Sequence, residues 1–126
     1  MGKRKPLSDF LSESDYFHSG QPISPLFETH FHLDMIKETP QDQVVKSFKN
    51  LGINKAITIS TSKKNWESVK ELAHNYENLF YTLGTHPHEA DHLDIDKAKK
   101  TIEENLKDKK LVAIGEIGLD YFYNLS

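Results

Sequence analysis

The chain has 126 residues, with 16 Lys and Arg against 19 Asp and Glu and a formal charge of -3 at pH 7. That length suits one domain and falls well short of the about 250 residues of a complete eight-stranded barrel, while the weak negative charge excludes broad electrostatic adhesion to nucleic acid or anionic lipid. Mean hydropathy is -0.62, no apolar run approaches the about 18 residues of a spanning helix, and the absence of cysteine excludes disulfide and thiolate chemistry, so a cytoplasmic protein is expected.

Residues 1–24 read as a polar, weakly ordered N-terminal extension. Lys3-Arg4-Lys5 opens it like a signal peptide, but Pro6, Ser8, Asp9, Ser12 and Glu13 break up any apolar stretch, and the basic triplet reads as a solvated tail. The domain proper is expected over 25–126. Its first strand is Leu26-Phe27-Glu28-Thr29-His30-Phe31-His32-Leu33-Asp34, where alternation puts Glu28, His30 and His32 on one side and Phe27, Thr29, Phe31 and Leu33 on the other. Two imidazoles at i and i+2 offer two nitrogens to one divalent ion. Seven histidines in the chain make one H-x-H unremarkable, so the pair needs company elsewhere.

Thr39-Pro40 then supplies an N-cap and an N1 proline, Val44, Val45, Phe48 and Leu51 recur with helical spacing, and Gly52 stops the helix. Ala56 to Thr61 is a β-branched strand, followed by Ser62 as a cap and a helix with an apolar stripe of Trp66, Val69, Leu72, Ala73 and Tyr76. Leu79 to Gly84 forms a third strand and runs into Thr85-His86-Pro87-His88-Glu89-Ala90. Asp94 caps a third helix whose buried side is expected to be Ile95, Ala98, Ile102 and Leu106. The fourth strand, Leu111 to Gly115, is uniformly apolar, as parallel strands covered on both faces are, and delivers Glu116.

The order β-α-β-α-β-α-β predicts an α/β fold corresponding to the first half of a (β/α)8 barrel. In such an array polar groups gather where strands end, here His30 and His32, Ser60 and Thr61, His86 and His88, and Glu116. Two divalent ions about 4 Å apart repel by on the order of 17 kcal/mol at an effective dielectric of 20, so a carboxylate must lie between them. Glu116 is the best placed candidate, because its small neighbours Gly115 and Gly118 let backbone and ion come close, and Glu28 orients a liganded imidazole, binds the ion itself or is a buried acid in a polar network. His86 and His88 are rim groups that contact a phosphate, steer water or satisfy a tight loop. His88-Glu89-Ala90-Asp91-His92 also fits the H-E-x-x-H zinc-protease pattern, but Pro87 before it and the Asp94 cap after it leave no room for a long helix through both histidines.

Phe27 to Asp34, Gly84 to Ala90 and Ala113 to Tyr121 together resemble the three N-terminal signatures of the TatD family of metal-dependent hydrolases, and the resemblance runs from about Leu26 to Asn124. It implies a TIM-type barrel, one or two divalent ions (Mg, Mn or Zn), and hydrolysis of phosphodiester bonds in DNA, as a deoxyribonuclease of 3'-exonuclease type acting on single strands or 3' ends. By position, His30 and His32 hold one metal and Glu116 bridges two; the general acid and base are expected beyond Ser126. The family opens with Asp where this chain has Glu28, and its members continue for about as many residues again with further histidines and an aspartate. A chain of this length is therefore expected to be a fragment or a split subunit, poorly active alone and completed by a complementary half-barrel or by self-association. The alternatives are an amidohydrolase-type deaminase, amidase or lactonase, and an inactive remnant or binding module in an open flavodoxin-like sheet.

Overall fold

The computed structural model describes residues 17–18, 21–22 and 25–123. The extension expected over 1–24 lies outside these, apart from a two-residue antiparallel pairing of Phe17–His18 with Gln21–Pro22. The main sheet has four parallel strands, β1 (Leu26–Phe31), β2 (Ile53–Thr58), β3 (Leu79–Leu83) and β4 (Leu111–Ile114), in the spatial order β1-β2-β3-β4. Helices α1 (Gln41–Asn50), α2 (Trp66–Asn75) and α3 (Ile95–Asn105) connect them. A doubly wound, flavodoxin-like sheet reverses its strand order at a switch point, whereas a barrel adds each strand beside the last. The observed order is that of the barrel.

Local chemistry explains the boundaries. Pro40 is the N-cap of α1 rather than its first residue, its carbonyl taking the Gln43 and Val44 amides, and Gly52 at φ 72 supplies the left-handed turn that sends the chain into β2. Ser62 and Asn65 form a reciprocal capping box around a 3-10 turn, Lys63–Asn65, that leads into α2. Asp94 caps α3 through the Lys97 amide at 3.0 Å.

The hydrophobic core cluster lies on the helix side of the sheet. Leu33, Val45, Phe48, Trp66, Val69, Leu79, Tyr81 and Leu83 form the core between helices and sheet. On the opposite face, which corresponds to the interior side of a barrel, Phe27, Glu28, Thr29, Lys55, Ile57, Phe80 and Val112 line an open groove of about 390 Å³. The expectation that β4 is covered on both faces is thus corrected, since Val112 and Ile114 are each 46% exposed. Ile95 and Leu106 are also exposed, because α3 meets the core through Ala98 with Ile102 packed against it, and its two ends lie beyond that contact. Among the described residues no helix is long and apolar enough to cross a membrane.

At the end of the sheet away from His30, His32, His86 and His88, Asp108 ties α2 and β3 to the start of β4. Its carboxylate accepts from His74 Nε2 (2.7 Å), the buried Tyr81 hydroxyl (2.8 Å) and the Lys110 amide (2.9 Å). Burial by itself pushes this carboxyl up, but the three hydrogen bonds together outweigh it and hold the group at about 2, while burial and the same contact push the Tyr81 phenol up. A depressed carboxyl stabilises the fold above its ordinary value near 4, and that contribution is lost as pH falls toward 2. We expect wild type to lose about 1 kcal/mol over this window, after allowance for solvent screening, beyond what Asp108→Asn loses; parallel urea titrations would refute this if the two slopes coincide.

Candidate metal centre

The centre is assembled at the carboxyl ends of the four strands, and its first feature is a break in β1. The pairing of β1 with β2 shifts between Glu28 and Phe31, so strict alternation fails there. The single face expected for Phe27, Thr29, Phe31 and Leu33 is accordingly split: Phe27 is 59% exposed on the groove side, whereas Leu33 is buried and Phe31 packs edge-on against Phe48. Glu28 directs Oε1 to the backbone amide of His30 at 2.9 Å. It holds the main chain of His30 rather than an imidazole.

His30, His32 and Glu116 each present one potential ligand atom, all within 4.8 Å of one another. His30 Nε2 lies 3.5 Å and His32 Nε2 3.9 Å from Glu116 Oε2, while His86 Nε2 lies 3.6 Å from Glu116 Oε1. Two donors at about 2.1 Å from one ion in tetrahedral array are about 3.4 Å apart, so these separations suit a cation. The donor chemistry agrees. His32 Nδ1 donates to the Ile59 carbonyl at 2.9 Å, which leaves the Nε2 lone pair facing Glu116. Imidazole nitrogens with one carboxylate suit borderline divalent ions, and three protein donors leave positions open for water or substrate.

His86 comes to the same mouth in a different state. Its Nδ1 accepts the His88 amide at 3.1 Å, so the neutral ring carries its proton on Nε2, the atom that faces Glu116. It is a donor at this position. His88 stacks edge-on against His86 with ring centres 4.3 Å apart, and its Nε2 meets Asp120 Oδ2 at 2.6 Å. That contact, with the Phe122 and Tyr123 amides, lowers the Asp120 carboxyl below its ordinary range. The H-E-x-x-H reading fails on geometry as well, since Pro87–His92 is a 3-10 turn and not an α-helix.

What holds Glu116 in place was not anticipated from the residues alone. Gly115 and Gly118 were expected to allow close approach, yet a Cβ at either meets nothing within 4 Å. Gly118 is constrained by its backbone, at φ 145, and Gly84 by its neighbours: a Cβ at Gly84 would lie 2.2 Å from the Gly115 carbonyl carbon and 2.6 Å from the Glu116 nitrogen. Around this contact runs a buried polar belt. Ser60 Oγ accepts the Gly84 amide at 2.8 Å and shares its proton between the Gly84 and Gly115 carbonyls; Thr82 Oγ1 donates to the Gly115 carbonyl at 2.7 Å, and Trp66 Nε1 to the Gly84 carbonyl at 2.8 Å. Trp66, expected as core, is core and hydrogen-bond donor at once. The available signal was a Ser and a Thr placed at the ends of otherwise apolar strands. Ser60→Ala leaves the Gly84 amide buried without its acceptor, and should lower the unfolding free energy by about 1–3 kcal/mol in urea at unchanged m-value; a wild-type midpoint would refute the belt's role.

A family profile described as TatD related DNase matches residues 27–126. The chain belongs to the TatD family. It is 30% identical over 109 residues to a metal-dependent hydrolase of Buchnera aphidicola, covering 79% of this chain and 41% of that protein. It is 30% identical over 86 residues to Escherichia coli TatD, named a 3'-5' ssDNA/RNA exonuclease, covering 68% of this chain and 33% of that one. The crystal structure of Escherichia coli YjjV, a TatD homologue, superimposes with a TM-score of 0.64 at 32% identity, over 78% of this chain and 39% of that one. The chain thus spans about two fifths or less of the length of these TatD relatives. The half-barrel architecture expected from the strand pattern is the fold observed.

Proposed function

We propose that this TatD-family chain carries the N-terminal part of a metal-dependent phosphodiesterase that removes nucleotides from 3' ends of DNA, with single strands preferred. The observation that carries the reading is the convergence of His30, His32, Glu116 and the Nε2 of His86 on one solvent-open mouth. When bound there, a divalent cation (Mg, Mn or Zn) supplies Lewis acidity to the phosphoryl group and makes water nucleophilic near neutral pH. Glu116 would provide the negative charge that lets a cation settle beside His30 and His32, which face its Oε2, while its Oε1 faces the Nε2 of His86. His32 keeps its lone pair inward through its bond to Ile59. His86 donates from Nε2 to a non-bridging phosphate oxygen, and His88, held by Asp120, buttresses that ring. With a net charge of -3 the chain has no general pull on a polyanion, so recognition is local to this mouth.

In this reading rapid turnover belongs to a barrel whose inner face is covered, because the mouth is open on the side of Val112 and Ile114. The test is incubation of the chain with Mn²⁺ or Mg²⁺ and end-labelled single-stranded DNA, beside amide and lactone substrates. Slow, metal-dependent shortening from the 3' end is expected, abolished by His30→Ala with His32→Ala. Turnover of the amide or lactone with none of the DNA would overturn the proposal in favour of an amidohydrolase-type activity.

A further inference from the structure

Three consecutive carbonyls just past β2 each take a hydrogen bond from a different part of the centre. Ile59 accepts from His32 Nδ1 at 2.9 Å, Ser60 from the Glu116 amide at 3.0 Å, and Thr61 from the His86 amide at 2.7 Å. One tripeptide therefore sets the ring of a residue after β1 and the main chain of residues after β3 and β4. The Ile59 amide bonds the Phe31 carbonyl at 2.8 Å and the Ser60 amide bonds Thr82 Oγ1 at 3.3 Å, which leaves the amides of Thr61 and Ser62 to be held from outside the sheet.

Asn65 does that work from the other side. Its Oδ1 accepts the amides of Thr61 (3.3 Å) and Ser62 (3.2 Å), and its Nδ2 donates to Asp34 Oδ2 at 2.9 Å and approaches Thr61 Oγ1 at 3.4 Å. Asp34 lies two residues after His32, so the same amide ties the segment that bears the first histidines to the segment that supplies the three carbonyls. The other oxygen of Asp34 is buried and has no hydrogen-bond partner among the described residues, which leaves Asn65 as the contact that sets this carboxylate. The bond to the Ser62 amide closes the capping box of the turn before α2, whereas the bonds to Thr61 and Asp34 lie outside that box and are not accounted for by starting the helix.

We infer that Asn65, held by Asp34, is a positioning residue of the metal centre: it sets the directions of the Ser60 and Thr61 carbonyls, and with them the backbone of Glu116 and the place of His86, and through Asp34 it holds the segment that carries His32 against the Ile59 carbonyl. The inference rests on the metal-binding reading above. Asn65→Asp separates bracing from local structure, because it keeps the oxygen that accepts from Thr61 and Ser62 and replaces the donor facing Asp34 with an anionic oxygen. The double variant Asp34→Asn with Asn65→Asp restores the bond with its polarity reversed.

Two readouts are taken on the 126-residue chain: Mn²⁺ affinity by calorimetric titration, and histidine tautomers in the metal-free protein by nitrogen-15 NMR. Asn65→Asp should bind Mn²⁺ about 10- to 100-fold more weakly, the usual effect of losing an outer partner of a ligand, and should lose the uniform Nδ1–H form of His32; the double variant should recover both. Wild-type affinity and tautomers in Asn65→Asp would overturn the inference, and so would losses that the double variant fails to restore. Absence of Mn²⁺ binding by wild type would instead overturn the metal-binding reading, with the tautomer measurement still deciding the brace.

Discussion

Glu116→Gln is expected to weaken Mn²⁺ binding by more than about 100-fold while leaving the metal-free protein as stable as wild type within about 0.5 kcal/mol. Removing an outer partner of a ligand already costs about 10- to 100-fold, and this substitution removes the only carboxylate of the cluster formed with His30 and His32. The amide retains the size of the side chain and an oxygen donor, so the loss reports charge. Stability should not follow, because the carboxylate is partly exposed and its nearest imidazole partner stands 3.5 Å away, longer than a good hydrogen bond. Calorimetric titration beside thermal unfolding checks both halves. Affinity within about threefold of wild type would remove Glu116 from the centre.

Gly84→Ala should have the opposite profile in the metal-free state. Its Cβ would stand 2.2 Å from one backbone atom and 2.5 Å from another in the segment that carries Glu116, and backbone cannot swing aside as a side chain can. Overpacking costs about 1–3 kcal/mol where side chains can adjust, so the expected loss lies at about 3 kcal/mol or more. Relief requires β3 and β4 to part at their ends, which also moves Glu116 away from His30 and His32 and weakens Mn²⁺ binding. Urea unfolding and metal titration of the same preparation test the pair of effects; a variant normal in both would show that the close approach of Gly84 to Gly115 is not required. The two variants together distinguish a group that meets the cation from one that places that group.

The helical recurrence of Trp66, Val69 and Ala73 and the Asp94 cap are local signals that produced the elements expected. The β-branched run Ala56–Thr61 marked a strand that in fact starts earlier and ends sooner, at Ile53–Thr58, because Ser60 and Thr61 turn from strand pairing to the strand-end bonds with Glu116 and His86. The proximity of His30 and His32 is local too, since residues two apart on extended chain point together. Parity failed only where β1 shifts register against β2, a property of the pair of strands and of neither alone. Helix α3 shows the same boundary, with Ala98 buried as its period requires and Ile95 left exposed at its end.

Order of strands and helices, the caps, the histidine pair and the presence of an acid at a strand end are therefore determined by the residues themselves, through periods of 2 and 3.6 that any segment carries within it. Which glycine is hemmed in by a neighbouring strand, what Asn65 and Ser60 bond, and that the Nε2 of His86 faces Glu116 were decided only in the tertiary structure. Those facts depend on how far each strand end protrudes relative to its neighbours. That offset is set by side-by-side pairing of residues 23 to 31 apart in the chain, a distance over which no local period carries information.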